Sequence, residues 1–97
     1  MSELIKQEQW IWVVVQNPDG NEQFLGQHDD KKNESYIPIF IEKDEALQCL
    51  NLLARDKGTK FEIQAIQLEN ICLSAAKNGF LLFVLNGEGD VLEKIKP

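Results

Sequence analysis

Three short segments of the chain are apolar at odd and even positions alike. They are residues 10–15, 36–41 and 80–85. Successive side chains of a β-strand point to opposite faces of a sheet, so strands with this pattern need cover on both faces. The pattern therefore predicts that these segments are the central strands of one sheet.

Two other segments carry apolar residues at helical spacing, and each is followed by a glycine suited to ending a helix. The first is predicted over residues 43–56, before Gly58, and the second over residues 68–78, before Gly79. The predicted apolar stripe of the first helix is Ala46, Leu47, Leu50, Leu53 and Ala54. That of the second is Leu68, Ile71, Cys72, Ala75 and Ala76.

Shorter strands complete the pattern, at residues 22–26 after an Asn-Pro-Asp-Gly turn, at 61–67 and at 91–96 after a glycine-rich hairpin. The polar residues 27–35 lack periodicity and are predicted to form a solvated loop. Pro38 removes a backbone donor from its strand, which favours an edge position or a bulge.

The element order predicts an α+β fold, a mixed β-sheet of five to six strands (ββ-βαβαβ-β) with two helices packed on one face. Residues 1–97 form a single domain, and strands joined through a helix should be parallel. Two helices normally cover one face of such a sheet. The other face is therefore expected to bind a second molecule.

Charge and composition narrow the function classes. Sixteen acidic residues against ten basic ones give a net charge of −6, which disfavours binding to nucleic acid or to an anionic membrane. No apolar run approaches the roughly 18 residues of a membrane-spanning helix. The first nine residues do not resemble a signal peptide, so a cytoplasmic location with reduced cysteines is expected.

The residues that could carry chemistry are few and scattered. His28 lies in the polar loop, away from any serine motif, and Cys49, Cys72 and His28 lack the local pairing of a zinc site. Cys72 is expected to be buried on its helical stripe, and Cys49 to be partly exposed and the first to react. A redox pair between the two helices is conceivable. No catalytic, cofactor-binding or metal site is predicted, and the protein is expected not to be an enzyme.

Two tryptophans on the first strand are the most informative side chains. Trp10, Trp12 and Val14 project from one face of that strand, while Ile11, Val13 and Val15 project from the other. The tryptophans are either a core pair capped by the N-terminal segment or a partner surface, where tryptophan is enriched. The branched set is better suited to packing under helices. We therefore predict a partner interface at Trp10, Trp12 and Val14.

Several of these residues also recur in a known family. The run from Trp12 to Asn17, a Phe40-x-x-x-Asp44-Glu45-Ala46 helix start and Cys72 before Gly79 resemble a small domain-of-unknown-function family of phototrophic bacteria and plastids. The ending, Ala-Ala-Lys-Asn-Gly-Phe followed by Val-Leu-Asn-Gly-Glu-Gly, is similar to the N-terminal domain of the enhanced-serine-sensitivity protein family. Both resemblances imply an α+β domain of unsettled role, and neither supplies a catalytic residue to carry over.

The sequence thus favours a small, non-enzymatic protein-association domain. The simplest form is a homodimer packed through the open sheet face. The same face could instead bind a different protein. The alternative is a small-molecule-binding regulatory domain with a pocket between residues 27–35 and the sheet.

Overall fold

A computed structural model of the chain describes residues 2–53 and 58–97. These residues form seven strands and two α-helices, with a 3-10 turn at Leu50–Leu52 after the first helix. The strands are β1 (Trp10–Gln16), β2 (Gln23–Phe24), β3 (Gln27–Asp29), β4 (Glu34–Phe40), β5 (Phe61–Gln67), β6 (Leu81–Leu85) and β7 (Val91–Ile95). The helices are α1 (Lys43–Cys49) and α2 (Leu68–Asn78).

All seven strands belong to one mixed sheet, so the predicted α+β class is confirmed, with one or two more strands than expected. The long strands follow the order β5-β1-β4-β6-β7, and the short strands β2 and β3 extend the sheet beside β1 and β4. β4 and β6 pair in parallel, while β1 is antiparallel to both β4 and β5. The strands joined through helices therefore run in the same direction, as predicted.

The two helices lie on opposite faces of this sheet. On one face, which we call the α2 face, Leu68, Ile71 and Ala75 pack over the branched residues of β1, β4 and β6. On the other, the α1 face, Ala46, Cys49 and Leu53 pack over Val14, Phe40 and Phe83. The expected arrangement of both helices on one face is therefore corrected, and neither face is left open as a whole.

Connection direction explains this arrangement. The chain passes from β4 across β1 to β5 through α1, and then back across β1 and β4 to β6 through α2. A crossover between parallel strands is right-handed, so reversing its direction across the sheet moves its helix to the other face. Two crossovers of the same hand in opposite directions thus cover both faces of the central strands.

The segment predicted as a loop at residues 27–35 is instead a hairpin of β3 and the start of β4. Asp29 Oδ1 accepts the backbone N–H groups of Lys31 and Lys32, and Asn33 adopts a positive φ of 52°. β4 is a central strand even though it contains Pro38. That residue falls between the pairing of β4 with β3 and its pairing with β1, which is where a central strand accommodates a missing donor.

The second helix has the predicted bounds, whereas the first is shorter. Gly79 follows α2 with a left-handed φ of 75°, and its N–H closes the last turn. α1 ends at Cys49, and the predicted continuation over residues 54–57 lies outside the described residues. The buried positions of α1 are Ala46 and Cys49, while Leu47 of the predicted stripe is 50% exposed.

The N-terminal segment, residues 2–9, closes the end of the α2 face. Ile5 is buried in the core beneath α2. The carbonyl groups of Gln7 and Gln9 accept the N–H groups of Glu69 and Leu68, which open α2. These backbone acceptors satisfy donors that a helix start otherwise leaves unpaired, since α2 has no side-chain cap.

Glu93 of β7 holds the beginning of this segment. Its carboxylate accepts hydrogen bonds from Ser2 Oγ at 2.6 Å and from the Glu3 N–H at 2.7 Å. Burial acts to raise the pKa of the Glu93 carboxyl, but these bonds and one from the Leu4 N–H outweigh it, so the pKa lies below its ordinary value.

We expect protonation of Glu93 to release residues 2–4 from β7. Because the folded-state pKa is lowered, this attachment is present above the ordinary value of 4.5 and is lost as the pH falls through the folded pKa. The amide resonances of Glu3 and Leu4 should shift with a midpoint below 4.5. In the Glu93→Gln variant, these two amide resonances should lie at their low-pH positions already at neutral pH. In the control Glu88→Gln, in the hairpin before β7, they should not. A midpoint at or above the ordinary value would contradict this.

Candidate functional site

The predicted interface residues Trp10, Trp12 and Val14 share the α1 face of β1, but they differ in exposure. Trp10 is 60% exposed, and Trp12 is half-buried with Lys43 Nζ 5.4 Å from its ring centroid. Val14 is only 1% exposed and belongs to the core beneath α1. Val14 therefore has no surface to offer a partner, because α1 covers the face that was predicted to be open.

Beside the tryptophans lies an outer edge of the sheet. β5 pairs with β1 along all seven of its residues. Among the strands of the described residues, none pairs with the opposite side of β5. The outer side of a strand presents backbone N–H and C=O groups that can hydrogen-bond to another chain.

The hydrogen-bond phase of the β1–β5 ladder identifies which groups face outward. The Asn17 N–H donates to the Lys60 carbonyl, and the Leu68 N–H donates to the Gln9 carbonyl, each at 3.0 Å. These bonds lie at the two ends of the ladder, so the even-numbered residues of β5 bond to β1. Bonded and non-bonded pairs alternate in an antiparallel ladder, and the backbone groups of Ile63 and Ala65 therefore point away from the sheet.

The side chains next to this edge are apolar. Ala65 pairs across the strands with Trp12, and Ile63 pairs with Val14, so both lie on the α1 face with the tryptophans. Ile63 is half-buried and Ala65 is exposed. We call Trp10, Trp12, Ile63 and Ala65, together with the outward backbone groups, the β5 edge surface.

The opposite edge of the sheet, at β7, is protected where β5 is not. A register shift interrupts the pairing of β6 with β7, and residues 2–4 are bound to Glu93. Lys94 of β7 pairs with Glu34 at 3.2 Å. Bulges, charges and covering segments are the usual ways in which edge strands avoid pairing. β5 contains neither proline nor lysine and only one charged residue, Glu62.

The structure brings His28 close to Ser35 and Asp30. His28 Nδ1 lies 3.0 Å from Ser35 Oγ, and His28 Nε2 lies 3.7 Å from Asp30 Oδ1. The Asp30 side chain is 98% exposed and the distance exceeds that of a hydrogen bond. A carboxylate in that position does not fix the imidazole, so this exposed hairpin lacks the rigid support that nucleophilic catalysis requires.

The two cysteines are separated by the sheet and are both free thiols. Their exposure is the reverse of the sequence prediction, since Cys49 is fully buried and Cys72 is partly exposed. Burial raises the pKa of both thiols. The inter-helix redox pair is ruled out because one helix packs on each face.

In the two acidic turns, around Asp19 and at Asn86–Asp90, side-chain oxygen atoms already bond to groups of the protein. Asn86 Oδ1 accepts the N–H groups of Glu88 and Asp90, and the Asn86 amide donates to Asp90 Oδ2. Asp19 pairs with Lys60 at 3.2 Å. Across residues 2–53 and 58–97, no three side chains of the His, Cys, Asp or Glu type are grouped so that they could hold a metal ion.

A cleft of about 620 Å³ lies on the α2 face, between α2, β5 and the β1–β2 hairpin. We call it the α2-side cleft. The alternative ligand pocket was predicted between residues 27–35 and the sheet. None of those residues lines this cleft, because they form the β3–β4 hairpin.

Comparison with protein-family models, curated proteins and solved structures gives no match. The two family resemblances therefore stay predictions, and the site rests on its geometry. No helix in the described part of the chain is long and apolar enough to cross a membrane.

Exposure and pKa together predict the order of thiol labelling. A thiol reagent should modify Cys72 first and Cys49 only on unfolding. Because burial raises both pKa values, the Cys72 rate should be low at neutral pH and rise as the pH approaches 9. The variant Cys72→Ser should lose the native-state labelling, and Cys49→Ser should keep it. Mass spectrometry of the labelled peptides measures the two rates. Faster modification of Cys49 than of Cys72 would contradict the packing of α1.

Proposed function

We propose that this chain is a non-enzymatic protein-association domain in which two copies pair through the β5 edge surface. The observation that supports it is the outward orientation of the Ile63 and Ala65 backbone groups beside the exposed Trp10. The proposal keeps the predicted partner role of the tryptophans. It moves the interface from a sheet face to a sheet edge.

A two-fold axis through Gln64 gives this edge a self-complementary register. Antiparallel pairing about that axis places Ile63 opposite Ala65 of the second copy. The two residues of this pair exchange backbone hydrogen bonds, so that each donates one and accepts one. The two Gln64 residues then form the central non-hydrogen-bonded pair, in which side chains are closest. The strands of both copies join in one continuous sheet, a recognised mode of association.

The side chains suit this register. Glu62 faces Ile66 of the second copy, so no two carboxylates are placed directly opposite each other. On the α1 face, Ile63 of one copy packs beside Ala65 and Trp12 of the other. Tryptophan side chains contribute a large apolar area to interfaces, on the order of 150–250 Å² each.

Net charge works against this association and gives it a recognisable salt dependence. Each copy carries a charge of −6, so two copies repel one another at low ionic strength. Added salt screens this repulsion. Dimerisation through backbone and apolar contacts should therefore strengthen as salt is added, whereas an interface built on ion pairs should weaken.

Proline at position 65 tests the edge directly. Ala65→Pro removes an outward N–H while leaving the bonds between β1 and β5 in place, as proline is tolerated at edge positions. Sedimentation should show the unmodified chain dimerising and Ala65→Pro remaining monomeric, with similar circular dichroism. The matched control Ala65→Ser retains the N–H and should still dimerise.

Ala65→Glu supplies a second test if the proline variant does not fold. It adds two carboxylates close to the two-fold axis of an already acidic dimer, and it should therefore also be monomeric. A chain that stays monomeric up to millimolar concentration, or an Ala65→Pro variant that dimerises normally, would overturn the proposal. A monomer that captures a different protein through the same edge would support association without self-pairing.

The tryptophans should separate association from stability. Trp10→Ser should leave the fold intact and weaken dimerisation by about tenfold, because Trp10 is mostly exposed. Trp12→Ser should lower the free energy of unfolding by about 2 kcal/mol, less than truncating a fully buried aromatic residue. Urea unfolding followed by fluorescence, together with sedimentation, distinguishes the two effects. An unfolded Trp10→Ser variant would place that residue in the core.

A further inference from the structure

The α2-side cleft combines apolar walls with a polar rim. Its lining includes the core residues Val13, Val15 and Ile37. Further apolar surface comes from Phe24 and Phe80, which are half-buried. This composition is typical of small-molecule sites, which are largely apolar with a few placed polar groups.

Small residues on α2 keep the cleft open. Ser74 and Asn78 line it from the helix, one turn apart, and the Asn78 amide donates to the Ser74 carbonyl at 2.9 Å. The next larger residue of the helix, Leu73, is 72% exposed and points elsewhere. A large side chain at position 74 would fill the space between α2 and the sheet.

Gly26 positions one wall of the cleft. A Cβ atom at this residue would lie 3.1 Å from Cε1 of Phe80 and 3.3 Å from its Cζ. Glycine therefore lets the phenyl ring lie directly against the backbone between β2 and β3. The ring contributes a flat apolar surface to the cleft.

The polar groups around the cleft are mainly amides. Gln16 Nε2 donates to Gln23 Oε1 at 3.2 Å, and Gln64 lines the side formed by β5. Among the described residues that line the cleft, Glu22 is the only charged one, and none is lysine, arginine or histidine. A ligand anion would thus meet a carboxylate without any compensating cation, whereas a neutral or positively charged molecule would not.

We infer that the α2-side cleft binds a small planar apolar molecule that is uncharged or cationic and carries a hydrogen-bonding group matched to the amide rim. The volume of about 620 Å³ lies within the range of roughly 300–1,000 Å³ for such sites. The cleft shares β5 with the proposed dimer contact, since Gln64 and Ile66 line it. Ser74 and Phe80 lie away from that edge, so each proposal can fail without the other.

Three probes with one bicyclic body and different charges test the ligand class. They are 1-naphthylmethylammonium, 1-naphthamide and 1-naphthoate, added to the full chain and followed by the shifts of backbone amide resonances. The first two should perturb Gly26, Ser74 and Phe80. Naphthoate should bind about two- to fivefold more weakly than the cation, as expected for one exposed carboxylate. Equal binding of all three probes, or strongest binding of naphthoate, would overturn the assigned charge preference.

Variants of two adjacent residues on α2 test the location. Ser74→Tyr fills the cleft and should abolish the probe-induced shifts, whereas Leu73→Tyr adds the same side chain on the exposed side and should leave them unchanged. Glu22→Gln should reduce the difference between the cation and naphthoate. Unaltered binding by a folded Ser74→Tyr variant would overturn the site. The Trp10→Ser variant, which should weaken dimerisation from outside the cleft lining, should bind the probes normally, and this separates the result from dimerisation.

Discussion

β1 is the strand on which the rest of the structure depends. It pairs with β5 on one side and with β2 and β4 on the other, so its backbone is bonded along both edges. Its central side chains are buried on both faces, with Ile11 under α2 and Val14 under α1. A strand whose central residues are buried on both faces requires a covering element on each face. A fold with both helices on one face would have left half of β1 in water.

The right-handedness of the crossovers is the second constraint on the fold, and it decides a feature that local sequence patterns do not predict. The periodicity of residues 68–78 and Gly79 predicted α2 to the residue, because local spacing and a left-handed glycine are local properties. The face that each helix covers depends on the spatial order of β4, β5 and β6, which no local pattern encodes. The error about the helix faces has this origin. The reversed exposure of the two cysteines instead follows from the rotation of each helix about its own axis, which turns Cys49 toward the sheet and leaves Cys72 at the flank of the buried stripe of α2.

The candidate site was predictable only in part for the same reason. Trp10 and Trp12 were identified from their spacing on one strand, and Trp10 is indeed exposed. The edge position of β5 was not predicted, because its alternating apolar pattern suits any strand with one buried face. Residues 27–35 were missed as a hairpin since Asp29 and Asn33 form its turn through side-chain and backbone geometry that polarity alone does not reveal.

β5 contributes to both the β5 edge surface and the α2-side cleft. Its odd-numbered residues place Ile63 and Ala65 beside the tryptophans, while Gln64 and Ile66 line the α2-side cleft. A second copy would bond to the outward backbone groups of Ile63 and Ala65, whereas a ligand would pack against Ile66 on the other face. The alternation of side chains along a single strand therefore separates the two proposed contacts.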